Sequence, residues 1–114
     1  MKANTKKTKA TKTKKFTLLS TQVTVNYVDR VEDESGNWIF GKTRFCKNDA
    51  EIFISVKDED GKKVDQRNID ITLRHELFHY ILDALYFREQ SANESLVEWL
   101  AQATYQLNKQ GLNI

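Results

Sequence analysis

The feature that most constrains this 114-residue chain is a pair of histidines at positions 75 and 79, with a glutamate directly after the first. They are the only histidines in the chain. Four residues of α-helix turn through about 400°, so His75 and His79 would share one face and could bind the same metal ion. Glu76 would lie about 100° further round, near a water on that ion. The spacing predicts a helix with a catalytic metal site; the alternative is two neighbouring helix histidines that bind nothing.

A catalytic zinc site uses three protein ligands and keeps its fourth position for water or substrate. Because the chain has no third histidine, the third ligand must be a carboxylate or the single cysteine, Cys46. Glu94 and Glu98 are the best candidates, since they would lie one turn apart on a second helix. Each has a simpler explanation: Glu94 could complete a capping box with Ser91, and Glu98 could be a solvent-exposed helix charge.

Charge divides the chain into a basic tail and a mildly acidic domain. Residues 1–15 contain seven lysines and no acid, which predicts a disordered Lys/Thr-rich tail. Residues 16–114 carry 11 basic and 16 acidic side chains, a balance of −5, and form the predicted domain. The tail could contact nucleic acid, or it could simply increase solubility. No apolar run approaches the roughly 18 residues of a membrane helix, so we expect a cytoplasmic protein that binds no membrane.

The order of the patterns predicts an α+β fold, with a small, mostly antiparallel sheet followed by two packed helices. β-forming residues indicate an extended segment at 16–30, a broken strand around Gly41 and a clear strand at 51–56. Either Asn68 or Asp70 is expected to cap the first helix. Its core positions are predicted to be Leu73, Leu77, Ile81 and Leu85. The apolar face of the second helix is predicted to comprise Leu96, Leu100, Thr104 and Leu107.

The segment His75-Glu76-Leu77-Phe78-His79, followed by Asn93-Glu94 and Val97-Glu98, resembles the gluzincin pattern of His-Glu-x-x-His and then Asn-Glu-x-x-x-Asp. In size and local sequence the chain is similar to the small ImmA/IrrE-type zinc metallopeptidase domains of bacteria and phages. The resemblance covers roughly residues 50–105 and implies a minimal zincin-like domain. It implies that Glu94 is the third Zn²⁺ ligand, and that Glu98 replaces the aspartate that accepts a hydrogen bond from the first histidine.

These residues predict a zinc-dependent metallopeptidase that acts on a peptide or protein substrate. Zn²⁺ held by His75, His79 and Glu94 would lower the pKa of a water, and Glu76 would accept its proton as general base. If the strand at 51–56 is a sheet edge, it could pair with an extended peptide.

Other roles remain open from the sequence. The hydroxyls of Tyr80, Tyr86 and Tyr105 could each stabilise an oxyanion, although helix tyrosines are more often core residues. The alternative function is a catalytically inactive zinc-binding protein, either regulatory or a DNA-associated adaptor that uses the basic tail.

Overall fold

The computed structural model describes residues 10–46 and 48–114, which form an α+β fold. The strands are β1 (Ala10–Leu18), β2 (Thr21–Val28), β3 (Val31–Glu32), β4 (Trp38–Ile39), β5 (Gly41–Phe45) and β6 (Asp49–Ser55). The helices are α1 (Gln66–Ala84), α2 (Arg88–Ser91) and α3 (Glu94–Lys109).

The main sheet has four strands in the order β1-β2-β6-β5. β1 and β5 are antiparallel to their neighbours, whereas β2 and β6 are parallel; β3 and β4 form a separate small ribbon. The predicted fold class is therefore confirmed, with one addition: the short helix α2 lies between the two predicted helices. None of the helices in the described part of the chain combines the length and apolar character needed to span a bilayer.

The first two strands form a hairpin, which corrects two predictions. The single extended segment at 16–30 is two strands, and the expected disordered tail does not reach residue 15, because β1 begins at Ala10. Residues 1–9 of that tail lie outside the described residues. Leu19 and Ser20 both have positive φ, 52° and 65°, as a tight two-residue turn between twisted strands requires. The turn lacks the usual Asn or Gly, so the sequence does not reveal it.

The core lies between the inner face of the sheet and α1. β2 and β6 contribute side chains that are at most 1% exposed: Val23, Val25, Ala50, Ile52 and Ile54. The prediction that Ile52 and Ile54 face the core is confirmed, while Val56 follows the end of β6 and packs against the core only in part.

The helix ends and faces differ in detail from the sequence prediction. Asp65 caps α1 by accepting a hydrogen bond from the Asn68 amide, because the helix begins at Gln66, earlier than expected. Leu85 is half exposed because it lies at the C-terminal cap. The other three predicted core leucine and isoleucine positions of α1 pack against the core. In α3 the buried residues are Val97 and Ala101, one position beyond the predicted Leu96 and Leu100.

Strand β5 runs beside α1, and its inward-facing residues meet successive turns of the helix. Two residues of strand advance about 6.7 Å and four residues of helix about 6 Å, so the two elements stay in step over their contact. The contacting pairs are Gly41 with Thr72, Thr43 with Glu76, and Phe45 with Tyr80. This register positions β5 along the helix that carries both histidines.

Gly41 allows the closest approach in this contact. A Cβ at position 41 would lie 2.8 Å from the carbonyl oxygen of Phe53 and 2.9 Å from the methyl carbon of Thr72. We expect Gly41→Ala to destabilise the metal-free protein by roughly 1–3 kcal/mol, measured by urea denaturation, because β5 must move away from its neighbours. Thr72→Ser in the Gly41→Ala background removes the clash with the methyl carbon, one of the two clashes, and should restore part of the lost stability. An unchanged denaturation midpoint in Gly41→Ala would contradict this close approach.

Candidate metal centre

A cavity of about 790 Å³ lies between β5, α1 and the first turns of α3. All five residues that the sequence predicts for the site line this cavity: His75, Glu76, His79, Glu94 and Glu98. The helix start explains how the acidic pair reaches α1. Asn93 caps α3 by accepting a hydrogen bond from the Leu96 amide at 3.0 Å, which places Glu94 in the first turn, opposite the histidines.

His75, His79 and Glu94 bring three potential ligand atoms together. His75 Nε2 lies 3.2 Å from His79 Nε2, and Glu94 Oε1 lies 3.0 Å and 3.3 Å from these two nitrogens. Ligands about 2.1 Å from a tetrahedral zinc ion are about 3.4 Å from one another, so the spacing fits zinc closely. The three residues could therefore hold a metal ion.

Hydrogen bonds on the far side of each imidazole determine which nitrogen is free. Glu98 Oε1 lies 2.8 Å from His75 Nδ1, and a carboxylate only accepts, so Nδ1 carries the proton. Ser91 Oγ donates to the His79 carbonyl oxygen at 3.4 Å and can accept from His79 Nδ1 at 3.2 Å. A proton on Nδ1 of a neutral imidazole leaves Nε2 with a free lone pair, the form that a metal ion binds. The two Nε2 atoms and the Glu94 carboxylate face one another across the space that an ion would fill.

Ser91 and Thr43 are site residues that the sequence does not reveal. Ser91 is 4% exposed and supports His79, whereas the sequence suggested only a capping box with Glu94. That box does not form, because α2 ends at Ser91 and Asn93 caps α3. Thr43 lies 33 residues before Glu76, and no local pattern connects them.

Glu76 lies on the sheet-facing side of α1 and is only 8% exposed. The Thr43 hydroxyl donates a 2.7 Å hydrogen bond to Glu76 Oε1. Burial raises the pKa of the Glu76 carboxyl, and this effect exceeds the opposite effects of the Thr43 hydrogen bond and the two nearby histidines. A carboxyl whose pKa moves towards neutrality exchanges protons more readily near physiological pH, as a general base must.

The three tyrosines considered for oxyanion stabilisation do not line this cavity. Tyr80 is a core residue, 2% exposed, whose hydroxyl donates to the Leu18 carbonyl oxygen at 3.0 Å. Tyr86 lies at a neighbouring groove, and the ring of Tyr105 lies beneath the guanidinium of Arg67. Tyr80 and Tyr105 lie on helices, whereas Tyr86 follows the end of α1. Only the packing of these elements decides which cavity each tyrosine reaches.

The strand at the edge of the sheet is not the one that the sequence suggested. The segment 51–56 belongs to β6, which pairs on both sides, with β2 and with β5. The edge beside the cavity is β5, the last strand in the sheet order. The sequence could not distinguish them, because a short strand interrupted near Gly41 gives a weaker pattern than the regular alternation of β6.

A scan against models of protein families, a search of curated proteins and a search of solved structures found nothing that matches this chain.

Burial of Glu76 predicts a pH-dependent stability. Its pKa is higher in the folded than in the unfolded state, so folding favours the protonated form, and the stability gained at acidic pH is lost as the pH rises through the folded pKa. In metal-free protein, Glu76→Gln should therefore raise the thermal midpoint at pH 7 relative to wild type. The difference should shrink as the pH falls through the raised pKa of folded Glu76, and the shrinkage should be complete below about pH 4.5, where the carboxyl is protonated in both states. The exposed-loop variant Glu59→Gln should show no such trend. A Glu76→Gln midpoint below wild type at pH 7 would contradict the expectation.

Proposed function

We propose that this protein is a zinc-dependent metallopeptidase. The observation that carries the proposal is the convergence of His75 Nε2, His79 Nε2 and Glu94 Oε1 within 3.0–3.3 Å, beside the buried carboxylate of Glu76. Three protein ligands suit a catalytic zinc ion, which keeps one position for water or substrate. Cys46 does not complete a fourth ligand, since it lines a different groove from the histidines.

In the proposed hydrolysis, several residues of the chain have separate roles. When bound, zinc polarises a peptide carbonyl and lowers the pKa of water. Glu76 accepts a proton as the water oxygen bonds to the carbonyl carbon, and then donates it to the amine nitrogen as the C–N bond breaks. Thr43 orients the Glu76 carboxylate, while Glu98 and Ser91 fix the orientation and tautomer of His75 and His79.

Strand β5 provides a surface on which a peptide could lie. Among the described residues, no strand pairs with the side of β5 away from β6. Its residues from Gly41 to Thr43 line the cavity that holds the histidines. An extended peptide that pairs with this edge would present its carbonyl groups along the cavity, with backbone hydrogen bonds supplying affinity for many sequences.

Metal content tests the ligand set. We expect one zinc per chain by native mass spectrometry, and loss of the metal in His79→Ala. Glu94→Gln should weaken zinc affinity by more than roughly 100-fold, because a direct ligand is lost, and Glu98→Gln by roughly 10-fold, because only the support of His75 is lost. Glu89→Gln, an exposed acid on α2, is the matched control. Equal affinities in Glu94→Gln and Glu89→Gln would remove Glu94 from the site.

Hydrolysis tests the role of Glu76. Zinc-loaded wild type, incubated with a synthetic peptide library and analysed by mass spectrometry, should produce new amino termini. Glu76→Gln should still bind one zinc, yet hydrolyse at least roughly 100-fold more slowly, since it cannot accept a proton. If the variant retains wild-type rates, Glu76 is not the base; if zinc-loaded wild type cleaves no peptide, the proposal of a peptidase fails.

A further inference from the structure

A second groove, of about 820 Å³, begins where the metal cavity ends. Phe45 and Asp83 line both spaces, so the two adjoin each other along β5 and α1. The second groove lies between the end of β5, the β1–β2 turn and the C-terminal end of α1. Its remaining lining includes Leu19, Asp49, Leu85, Tyr86 and Arg88. The second groove is therefore a separate space next to the candidate metal centre.

The chemistry of the groove combines apolar walls with negative charge. Leu19, Phe45 and Leu85 are each about half exposed and supply apolar surface. Asp83 lines both spaces, and none of the ion pairs among the described residues involves its carboxylate. Asp49 adds a second carboxylate to the lining. Such a surface suits a lysine or arginine side chain, whose aliphatic stem contacts apolar groups while its charged end meets a carboxylate.

Two independent measures place this groove close to the proposed reaction. Asp83 follows the ligand His79 by four residues, or about 6 Å along α1. Phe45 follows Thr43, which contacts Glu76, by two residues, or about 6.7 Å along β5. An extended peptide advances about 3.4 Å per residue. A side chain within about two residues of the bond at Glu76 would therefore lie over the groove.

The rim of the groove is formed by an aromatic residue in an unfavourable backbone conformation. Tyr86 has φ of 64° and follows the last residues of α1, a position that normally carries glycine. Its amide donates a hydrogen bond to the Asp83 carbonyl oxygen at 3.0 Å, and the Phe87 amide donates one to the Leu82 carbonyl oxygen at 2.8 Å. These two bonds satisfy carbonyl groups at the end of the helix. The Tyr86 side chain is 79% exposed, so core packing does not account for tyrosine here. Strained residues of this kind occur most often at functional sites.

We infer that this groove is the subsite that selects substrate, and that Asp83 recognises a lysine or arginine side chain near the scissile bond, with Tyr86 as its aromatic wall. The inference rests on the proposed peptidase function and assigns its substrate preference. Among the lining residues that the structure describes, Arg88 is the one basic side chain; its guanidinium lies 5.7 Å from the centre of the Tyr86 ring rather than in an ion pair with Asp83.

Binding to a zinc-loaded, hydrolysis-deficient protein tests the inference. Glu76→Gln is titrated, by fluorescence anisotropy, into fluorescein-labelled alanine hexapeptides that contain one lysine, norleucine or glutamate. Because the flanking residues are identical, each peptide can shift along β5 until its distinctive side chain lies at the groove. We expect the lysine peptide to bind roughly tenfold more tightly than the norleucine peptide, and the glutamate peptide to bind most weakly.

Variants at the groove separate a charge effect from a structural one. In the Glu76→Gln background, Asp83→Asn should abolish the preference for lysine, and Asp83→Lys should reverse it towards glutamate, which a merely structural role would not do. Asp60→Asn, in the exposed loop after β6, should retain it. Tyr86→Gly should weaken binding of both the lysine and the norleucine peptide without lowering the thermal midpoint, since glycine suits the positive φ.

The outcomes distinguish this inference from the proposed function. Equal binding of the lysine and norleucine peptides, or a preference that survives in Asp83→Asn, overturns the inference. Cleavage of the peptide library without enrichment of lysine or arginine near the cut bonds also overturns it, and leaves the peptidase intact. If no peptide binds and zinc-loaded wild type cleaves nothing, both fail.

Discussion

The contact between β5 and α1 is the constraint on which the other features of the structure depend. Gly41, Thr43 and Phe45 meet three successive turns of the helix, because two residues of strand and four residues of helix advance almost equally. This match fixes the cavity wall beside the histidines and holds Glu76 under Thr43. It also places Phe45 between the cavity and the second groove, since this residue lines both. A residue with a Cβ at position 41 would separate these surfaces.

The candidate metal centre includes a group that is unfavourable to bury. The carboxyl of Glu76 is buried, which raises its pKa, and the two Nε2 atoms face the carboxylate of Glu94. Burying a carboxyl costs folding free energy. Hydrogen bonds of the imidazoles with Ser91 and Glu98 keep the two rings in this arrangement, so a cation that bound there would offset part of the cost of burying Glu76.

The backbone at the end of α1 is also in an unfavourable conformation. Tyr86 closes the helix in a conformation that suits glycine, and its ring stands exposed at the groove beside Asp83. His79, Asp83 and Tyr86 thus follow one another along the last turns of α1 and the residues just after it. Since α1 is packed on the sheet through Tyr80 and Ile69, these groups keep fixed separations from β5. A rigid helix beside a free strand edge is well suited to positioning an extended chain.

The sequence by itself determined the fold class and identified five residues that line one cavity. Local periodicity places His75, Glu76 and His79 on one helix, because helical geometry depends only on spacing along the chain. It could not identify Thr43 and Ser91, since their hydrogen bonds join residues 33 and 12 positions apart. It also misplaced the sheet edge and missed the β1–β2 hairpin, because strand pairing and an unusual turn leave weak local signals. Only the tertiary structure decided which side chains share a cavity, because that depends on how helices and strands pack across the core.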